Sequence, residues 1–450
     1  MEKEKKQIVK TIDEMKAPAV RDSETIWEYA EPGLLEFKSS KLLMKRLREN
    51  DFEVENGTGG MESAFIGSWG SGAPVIGLLA EYDALETCGP PIGEPGHGCG
   101  HNLLGTAVVY AAIALKKVMQ KDGLKGTVKV YGCPAEEKLI GKIYMARDGA
   151  FDGLDAVITW HPGVSNNATT AGRNALDSFS FRFTGRTAHS ASDPWNGRSA
   201  PDAVEVMNYG VNMMREHIPE AARIHYVITE GGGQPNVVPP EAISWYYVRA
   251  PARRGKDGVE DISARVKGCA EGAALATGTE LEIKHLTAVY ETCMSLSGAD
   301  LMQRNLEYVG PPRFTEEERS YAKEVGLEAG MVLGDLDETI SPTVTERRRG
   351  TNDYGTVSYL APLLHCNITC AATGTPGHHF AGALQYKSSM GQKGMMVAAK
   401  VMACAAMDLL NKPDEMAKIR DEHMRKTEGF EFDAIIPKDQ KPPISDGYHE

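Results

Sequence analysis

The stretch G-H-G-C-G-H-N, from Gly96 to Asn102, places His97, Cys99 and His101 within five residues of one another. Histidine and cysteine are the strongest protein ligands for zinc-like ions. The intervening glycines let a thiolate and an imidazole converge on one point with little steric obstruction. The long, Ala-rich and periodic run 103–119 that follows predicts a helix. The segment therefore predicts a metal-binding loop directly before a helix.

Other candidate ligands come directly after predicted strands. They are Asp83 after strand 74–80, Glu136 and Glu137 after strand 126–133, and His161 after strand 156–159. Open α/β sheets form their sites at the carboxyl ends of strands, so we expect these side chains to lie close together.

The adjacent carboxylates Glu136 and Glu137 point to different sides of a strand end. One can bind a metal ion while the other takes the proton of a water molecule as general base. The alternative is a solvated acidic turn. Asp83, in E-Y-D-A-L, is interpreted as the group that holds a ligating imidazole in its correct tautomer; the alternative is that Glu81 and Asp83 are both solvated on a loop.

The remaining histidines carry different expectations. His161, in T-W-H-P, would be a core histidine by default, but its place at a strand end favours metal ligation. His378, in G-T-P-G-H-H-F, is the best late ligand, with His379 as the alternative one residue along. His97 is left open between ligand, outer partner of a ligand and loop residue.

The pattern changes near residue 177. The segment Ser178 to Thr184 alternates strictly between polar and apolar residues, as a half-exposed antiparallel strand does. Further strand and helix patterns follow, and together they predict an α+β domain over 177–290. This domain is inserted into a discontinuous α/β domain formed by 1–176 and 291–450.

Three residues of the inserted domain are candidates for contact with a substrate. His189 can cross a cleft and stabilise a tetrahedral oxyanion, or it is a surface histidine. Asn236 and Arg249 are candidates for gripping a substrate carboxylate, by an amide and by a guanidinium fork. Arg249 can equally be a surface partner for the many acidic groups.

Composition excludes several classes of function. The chain has 450 residues and a formal net charge of -13, which argues against a nucleic-acid surface. The charged N-terminus shows no signal peptide, and apolar runs such as 108–115 fall short of the roughly 20 residues of a membrane span. The eight cysteines are scattered, unlike a disulfide framework. We therefore expect a cytoplasmic protein with no membrane partner.

These motifs together resemble the aminoacylase/carboxypeptidase G superfamily of dimetal peptidases, and within it the p-aminobenzoyl-glutamate hydrolase-like amidohydrolases. The resemblance covers nearly the whole chain. Its motifs are E-Y-D-A-L at 81–85, G-H-G-C-G-H-N-L-L-G-T-A at 96–107, Y-G-C-P-A-E-E at 131–137, T-W-H-P at 159–162, A-H-S at 188–190, G-R-S-A at 197–200, P-N-V-V at 235–238, R-A-P at 249–251, E-G-A-A-L at 271–275 and G-T-P-x-H at 374–378.

The resemblance implies a metal-dependent aminopeptidase-like α/β catalytic domain and an inserted α+β lid that also dimerises. It implies two divalent ions per subunit, zinc or manganese, with Cys99 as the bridging ligand. The same resemblance assigns Glu136 as general base and His189 as the lid histidine, which often serves the neighbouring subunit. The residues that would complete the metal shell are His101, Glu137, His161 and His378.

The expected function is cleavage of the amide bond of an N-acyl or N-aroyl amino acid by metal-activated water, p-aminobenzoyl-glutamate being the type substrate. One alternative keeps the dimetal site but acts on dipeptides or removes an aromatic amino group. Another is a non-catalytic subunit of a heteromeric hydrolase. The expected assembly is a homodimer or a heterodimer with a homologous subunit. Two departures from relatives, K-L-I-G-K at 138–142 and T-N-D-Y-G-T-V-S-Y at 351–359, bear on the substrate rather than on the metals.

Overall fold

The computed structural model describes residues 2–444. Met1 and residues 445–450, which the predicted catalytic domain includes at its two ends, lie outside the described residues. The helices are α1 (Glu2–Glu14), α2 (Lys16–Tyr29), α3 (Phe37–Arg48), α4 (His101–Asp122), α5 (Gly141–Arg147), α6 (Ala200–Met214), α7 (Val259–Thr277), α8 (Leu296–Val309), α9 (Glu316–Glu328), α10 (Tyr354–Leu360), α11 (Phe380–Lys387), α12 (Ser389–Asn411) and α13 (Pro413–Lys426). The strands are β1 (Glu53–Asn56), β2 (Phe65–Ser71), β3 (Val75–Glu81), β4 (Gly126–Cys133), β5 (Ala156–Gly163), β6 (Asn167–Ala168), β7 (Ala175–Thr184), β8 (Arg223–Glu230), β9 (Glu241–Ala250), β10 (Glu280–Val289) and β11 (Leu363–Thr369).

The chain divides into two compact units. The first comprises 2–172, Cys293–Glu346 and Val357–Asp433, and the second comprises Arg173–Thr292, Arg347–Thr356 and 434–444. The predicted inserted domain, 177–290, lies wholly within the second unit. That unit also takes in two later segments which the prediction gave to the catalytic domain.

The first unit is built on a seven-stranded sheet in the order β1-β2-β4-β3-β5-β11-β6. Its four central strands, β4, β3, β5 and β11, run parallel, and antiparallel strands complete both edges. The carboxyl ends of the central strands therefore meet at one edge of the sheet, as expected of an α/β fold.

Two long helices, α4 and α12, pack against each other and belong to the main hydrophobic core. They contain 22 and 23 residues and are apolar enough to pass a test for membrane spans by length and composition, contrary to the expectation that every apolar stretch is too short. Their most apolar windows are 94% and 78% buried within the fold. Such burial is the pattern of core helices in a globular protein.

The N-terminal segment forms two helices, which meet at Met15. Pro18 lacks the N–H that would bond to the carbonyl four residues earlier, so it fits the first turn of a new helix better than the interior of one long helix. Strand β5 continues past residue 159 to Gly163, so His161 lies within the strand rather than after it.

The second unit has a four-stranded antiparallel sheet in the order β10-β7-β9-β8. The alternation that predicted β7 is explained by packing, because Phe179, Phe181 and Phe183 are fully buried. They form a second hydrophobic core with residues of α6 and α7. This core is separate from the main one, as expected for an independent α+β unit.

Candidate metal centre

The first candidate ligand loop is shaped by glycine. Gly100 adopts the left-handed conformation, with φ of 80°, and caps α4, so that His101 is the first residue of the helix. Within α4, a Cβ added at Gly105 would lie 2.5 Å from the backbone oxygen of Glu81. The absence of a side chain there lets α4 approach the end of β3, which brings His101 close to the acidic residues after that strand.

Asp83 holds two elements of the centre in place. One carboxylate oxygen lies 2.8 Å from His101 Nδ1, and the other accepts a hydrogen bond of 2.9 Å from the backbone N–H of Glu137. Burial raises the pKa of Asp83, but the facing His101 keeps it below its usual value. An ionised Asp83 fixes the proton of His101 on Nδ1, which leaves the Nε2 lone pair for a metal ion.

His161 is oriented in the same way. Its Nδ1 lies 2.7 Å from the carbonyl oxygen of Pro162, and its Nε2 lies 3.4 Å from the thiol sulfur of Cys99. Because a carbonyl only accepts, Nδ1 carries the proton and Nε2 presents its lone pair towards Cys99.

The carboxylate pair sits in a strained turn. Ala135 and Leu139, on either side of the pair, have φ of 52° and 58°, in the left-handed region that residues with a Cβ rarely adopt. The fully buried carboxylate of Glu36 accepts the backbone N–H of Ala135 at 2.7 Å and thereby supports this turn. Burial, with the nearby charge of Asp83, raises the pKa of Glu36 to about 8. No sequence pattern singles out Glu36 as a residue of the site.

Ligand atoms converge in three groups within the described residues, and in each group they all lie within 4.8 Å of one another. The groups are Cys99 with His101 and His161, Cys99 with Glu137 and His378, and Glu81 with His101 and Glu136. The first two groups contain every predicted metal ligand and share Cys99. A thiolate common to two groups is placed to contact two ions.

The spacing of the facing atoms tests whether the donors fit metal ions. Cys99 Sγ and His161 Nε2 are 3.4 Å apart, and His378 Nε2 and Glu137 Oε2 are 3.3 Å apart. Neighbouring ligands of a tetrahedral ion with bonds of roughly 2.0–2.3 Å are about 3.3–3.8 Å apart. The donor atoms therefore fit the ligand spacing of zinc-like ions.

The balance of charge agrees with two ions. Five groups that can be anionic surround the centre, and Lys142 is a fully buried cation among them. The five are Glu81, Asp83, Cys99, Glu136 and Glu137. Two divalent cations and Lys142 would neutralise all five. Buried charges without compensation are costly, so the chain needs cations at this place when these groups are ionised.

The geometry distinguishes the three histidines whose roles the sequence leaves open. His378, at a left-handed φ of 56°, faces Glu137, whereas the side chain of His379 caps α11 by accepting from the N–H of Ala381 at 3.2 Å. His97 is buried and its Nε2 bonds to the carbonyl of Ile26 at 3.0 Å. Burial lowers the pKa of His97 to about 4, and this histidine belongs to none of the three ligand groups found in residues 2–444.

The three predicted residues of the second unit are not all brought together. His189 and Asn236 are neighbours, because the N–H of Ser190 donates to the carbonyl of Asn236 at 3.0 Å. Arg249 lies at the opposite end of β9, beyond the β8–β9 hairpin that carries Asn236, and stacks over the ring of Tyr247. Eight residues of strand separate it from Glu241, or about 27 Å.

Comparison with known proteins settles the family. Residues 77–353 match the peptidase family M20/M25/M40. One of the subunits of the p-aminobenzoyl-glutamate hydrolase of Escherichia coli is 38% identical over 93% of this chain and 95% of its own length. The chain belongs to the M20 family.

Two further similar proteins extend the comparison. The Xaa-Arg dipeptidase of Mus musculus is 28% identical over 81% of this chain and 78% of its own length. A dinuclear metal-binding M20 peptidase from Bacillus subtilis has the same fold, with a TM-score of 0.56, 18% identity, and coverage of 89% of this chain and 99% of that chain. The predicted fold class and enzyme class are confirmed: the chain has a mixed α/β fold and is a hydrolase of the M20 family.

Proposed function

We propose that this chain is a dimetal amidohydrolase that cleaves the amide bond of an N-aroyl or N-acyl amino acid, with p-aminobenzoyl-glutamate as the first substrate to test. The observation that carries the proposal is that nitrogen, oxygen and sulfur ligand atoms converge beside the buried carboxylate of Glu136. The similarity of the chain to one of the p-aminobenzoyl-glutamate hydrolase subunits supports the choice of substrate. Amide hydrolysis needs both parts, a Lewis-acid site and a proton acceptor.

The two ligand groups that share Cys99 would hold the ions. His101 and His161 complete one group, and Glu137 and His378 complete the other. The thiolate and imidazoles suit zinc, whereas the carboxylate also suits manganese, so either metal is proposed. When bound, two such ions would polarise the amide carbonyl and make a water molecule acidic.

Glu136 is proposed as the general base. It directly precedes the proposed ligand Glu137 on the same strained turn, its side chain is 7% exposed, and one of its oxygens lies 3.9 Å from His101 Nε2. From that position it takes a proton from the attacking water and returns it to the leaving nitrogen. Asp83 keeps the His101 proton on Nδ1 throughout this transfer, since it accepts at 2.8 Å.

His189 is proposed to stabilise the oxyanion. Its Nδ1 accepts the backbone N–H groups of Ala191 and Ser192 at 3.1 and 3.2 Å. The proton of the neutral ring is thereby placed on Nε2, at the exposed end of the side chain. An N–H in that position is the donor that a tetrahedral oxyanion requires.

The separation of Asn236 and Arg249 supports a proposal on assembly. Arg249 lies about 27 Å along β9 from Glu241, the strand end that follows the loop carrying Asn236, and a single substrate carboxylate is far shorter than this length of strand. If both residues act on one substrate, they come from two chains. A homodimer, or a heterodimer with a homologous subunit, satisfies this condition.

The second unit carries a surface that suits such a partner. Helix α6 exposes Val206, Tyr209 and Met213 on one stripe, and the neighbouring strand β8, at the edge of its sheet, exposes Val227 and Ile228. Exposed apolar side chains on a helix beside an edge strand are typical of an interface. We propose a second copy of this chain as the occupant.

Light scattering of the purified protein tests this assembly. We expect a dimer for the wild type and a monomer for the double variant Tyr209→Glu/Ile228→Lys. The variant Leu275→Glu changes a comparably exposed apolar residue on α7, away from the edge strand, and should remain dimeric. A wild-type monomer would contradict the proposal.

The activity is tested by turnover of p-aminobenzoyl-glutamate with added manganese or zinc. Release of p-aminobenzoate is expected from the wild type and is expected to be lost in Glu136→Gln. The matched control is Glu94→Gln, an exposed carboxylate in the loop before the ligand motif. Absence of turnover in the wild type as well as in Glu136→Gln would instead favour a non-catalytic subunit.

A dipeptidase is the second candidate, because the Xaa-Arg dipeptidase is similar over most of both chains. A panel of dipeptides and N-acyl amino acids separates the two. Cleavage of dipeptides without turnover of aroyl-glutamate would favour this candidate and leave the metal centre as proposed.

A further inference from the structure

Glu81, the last residue of β3, is a buried carboxylate to which no role has been given above. Its Oε1 is 2.7 Å from the ammonium of Lys142, whose side chain is fully buried. Its Oε2 is buried, has no hydrogen-bond partner and lies 3.4 Å from His101 Nε2. Nε2 of His101 is likewise buried and without a hydrogen-bond partner.

Two lone pairs face each other in this arrangement when His101 is neutral, which is the state in which an imidazole binds a metal ion. Asp83 takes the Nδ1 proton of His101, so Nε2 presents a lone pair, and a carboxylate oxygen presents only lone pairs. Two buried acceptors at 3.4 Å repel each other unless a proton or a metal ion lies between them, and a metal ion satisfies both lone pairs at once. The distance equals the ligand spacing of a tetrahedral ion, and it matches the 3.4 Å and 3.3 Å of the two pairs described above.

We propose that Glu81 is a further metal ligand, which supplies Oε2 to the ion held by His101 Nε2. Lys142 is the positioning residue that occupies Oε1 and so presents Glu81 through one oxygen. The inference rests on the dimetal function proposed above and adds a carboxylate ligand to the group formed by Cys99, His101 and His161. Because a carboxylate is a harder ligand than a thiolate or an imidazole, it would allow this group to bind manganese as well as zinc.

The rival explanation is that Glu81 only neutralises Lys142. The two explanations are separated by comparing Glu81→Gln with the double variant Glu81→Gln/Lys142→Met. The single variant leaves a buried lysine without its anion and is expected to lose stability. The double variant removes one negative and one positive charge together, so the net charge of the centre and the buried volume stay nearly constant.

Metal affinity of the purified variants is measured by competition with a chelator. We expect the affinity for one ion to fall at least about tenfold in both variants, the lower bound for losing even an outer-shell partner of a ligand. Glu94→Gln should bind as the wild type does. Affinity restored to the wild-type value in the double variant would overturn the proposal, because it would show that Glu81 serves only Lys142.

A second measurement needs no variant. In crystals of the wild type grown with Mn²⁺ or Zn²⁺, anomalous scattering locates the ions. An ion within about 2.3 Å of Glu81 Oε2 is expected, and a closest approach beyond about 3 Å would refute ligation. If the wild type binds no ions at all, the proposed function fails; if it binds two and the double variant binds them equally well, only the role of Glu81 fails.

Discussion

Replacing Asp83 with Asn tests how the centre holds its first histidine. Both oxygens of Asp83 accept hydrogen bonds, one from His101 Nδ1 and one from the N–H of Glu137. An asparagine has one accepting oxygen, so one of these N–H groups would face an NH₂ group. His101 would then shift its proton to Nε2 and lose its ligating lone pair, or the turn that carries Glu137 would move.

The size of the effect follows from the bond that is lost. A hydrogen bond to a charged group contributes about 1.5–3 kcal/mol. Since about 1.4 kcal/mol corresponds to a factor of ten, Asp83→Asn should bind one ion roughly 10–100-fold more weakly. This agrees with the usual cost of losing a carboxylate partner of a metal-bound histidine, also about 10–100-fold.

The assay is a competition titration of metal-free protein with a chromophoric chelator and Zn²⁺. The control is Asp155→Asn, because Asp155 also bonds a backbone N–H, that of Val75 at 2.7 Å, but at the opposite end of β3. The control should keep the wild-type metal affinity. Zinc affinity of Asp83→Asn within about twofold of the wild type would refute the reasoning.

Further predictions concern single residues of both units. Glu136→Gln should retain two ions but lose about 10²–10⁴-fold in turnover, measured with saturating metal; an unchanged rate would exclude it as base. His378→Ala should lose one ion by mass spectrometry of metal content, whereas His379→Ala, which removes a helix cap, should keep both and cost about 1 kcal/mol of unfolding free energy. Although burial raises it, the pKa of Asp177 is lowered to about 2, by His285 first and also by the buried Arg253. The stabilisation that ionised Asp177 gives to the fold is therefore present above about pH 4 and is lost as the pH falls towards 2. In urea unfolding at pH 7, Asp177→Asn should lower the free energy of unfolding by at least about 2 kcal/mol. A difference in unfolding free energy between wild type and variant that stays constant down to pH 2 would contradict the role of His285 and Arg253.

The sequence predicts the α/β core well where short apolar runs end in chemistry-bearing residues. The carboxyl ends of parallel strands share one edge, so Asp83, Glu137 and His161 converge although they are distant in the chain. Strand and helix bounds near the site depend on packing, which explains why β5 continues through His161. The sequence cannot separate His378 from His379, because only the backbone geometry puts His378 beside Glu137 and His379 at the cap of α11.

The residues that sequence reasoning missed are those held by distant partners. Glu81 had a signal, because it stands two residues before Asp83 and strand periodicity puts both on one face. Glu36 had none, since its partner Ala135 is 99 residues away. The sequence predicts that Lys142 is a solvated helix residue, because lysine is almost never fully buried unless it is paired. Its ion pair with Glu81 is visible only in the folded chain.

The central claim is that this M20 chain is a two-ion amidohydrolase. The most direct test is metal content by mass spectrometry on the purified protein, paired with turnover of p-aminobenzoyl-glutamate before and after removal and restoration of manganese or zinc. The account predicts close to two ions per chain and turnover that disappears and returns with the metal. A protein that binds no metal, and whose activity is unchanged by metal removal, would contradict the ligand roles of Cys99, His101, Glu137, His161 and His378 together.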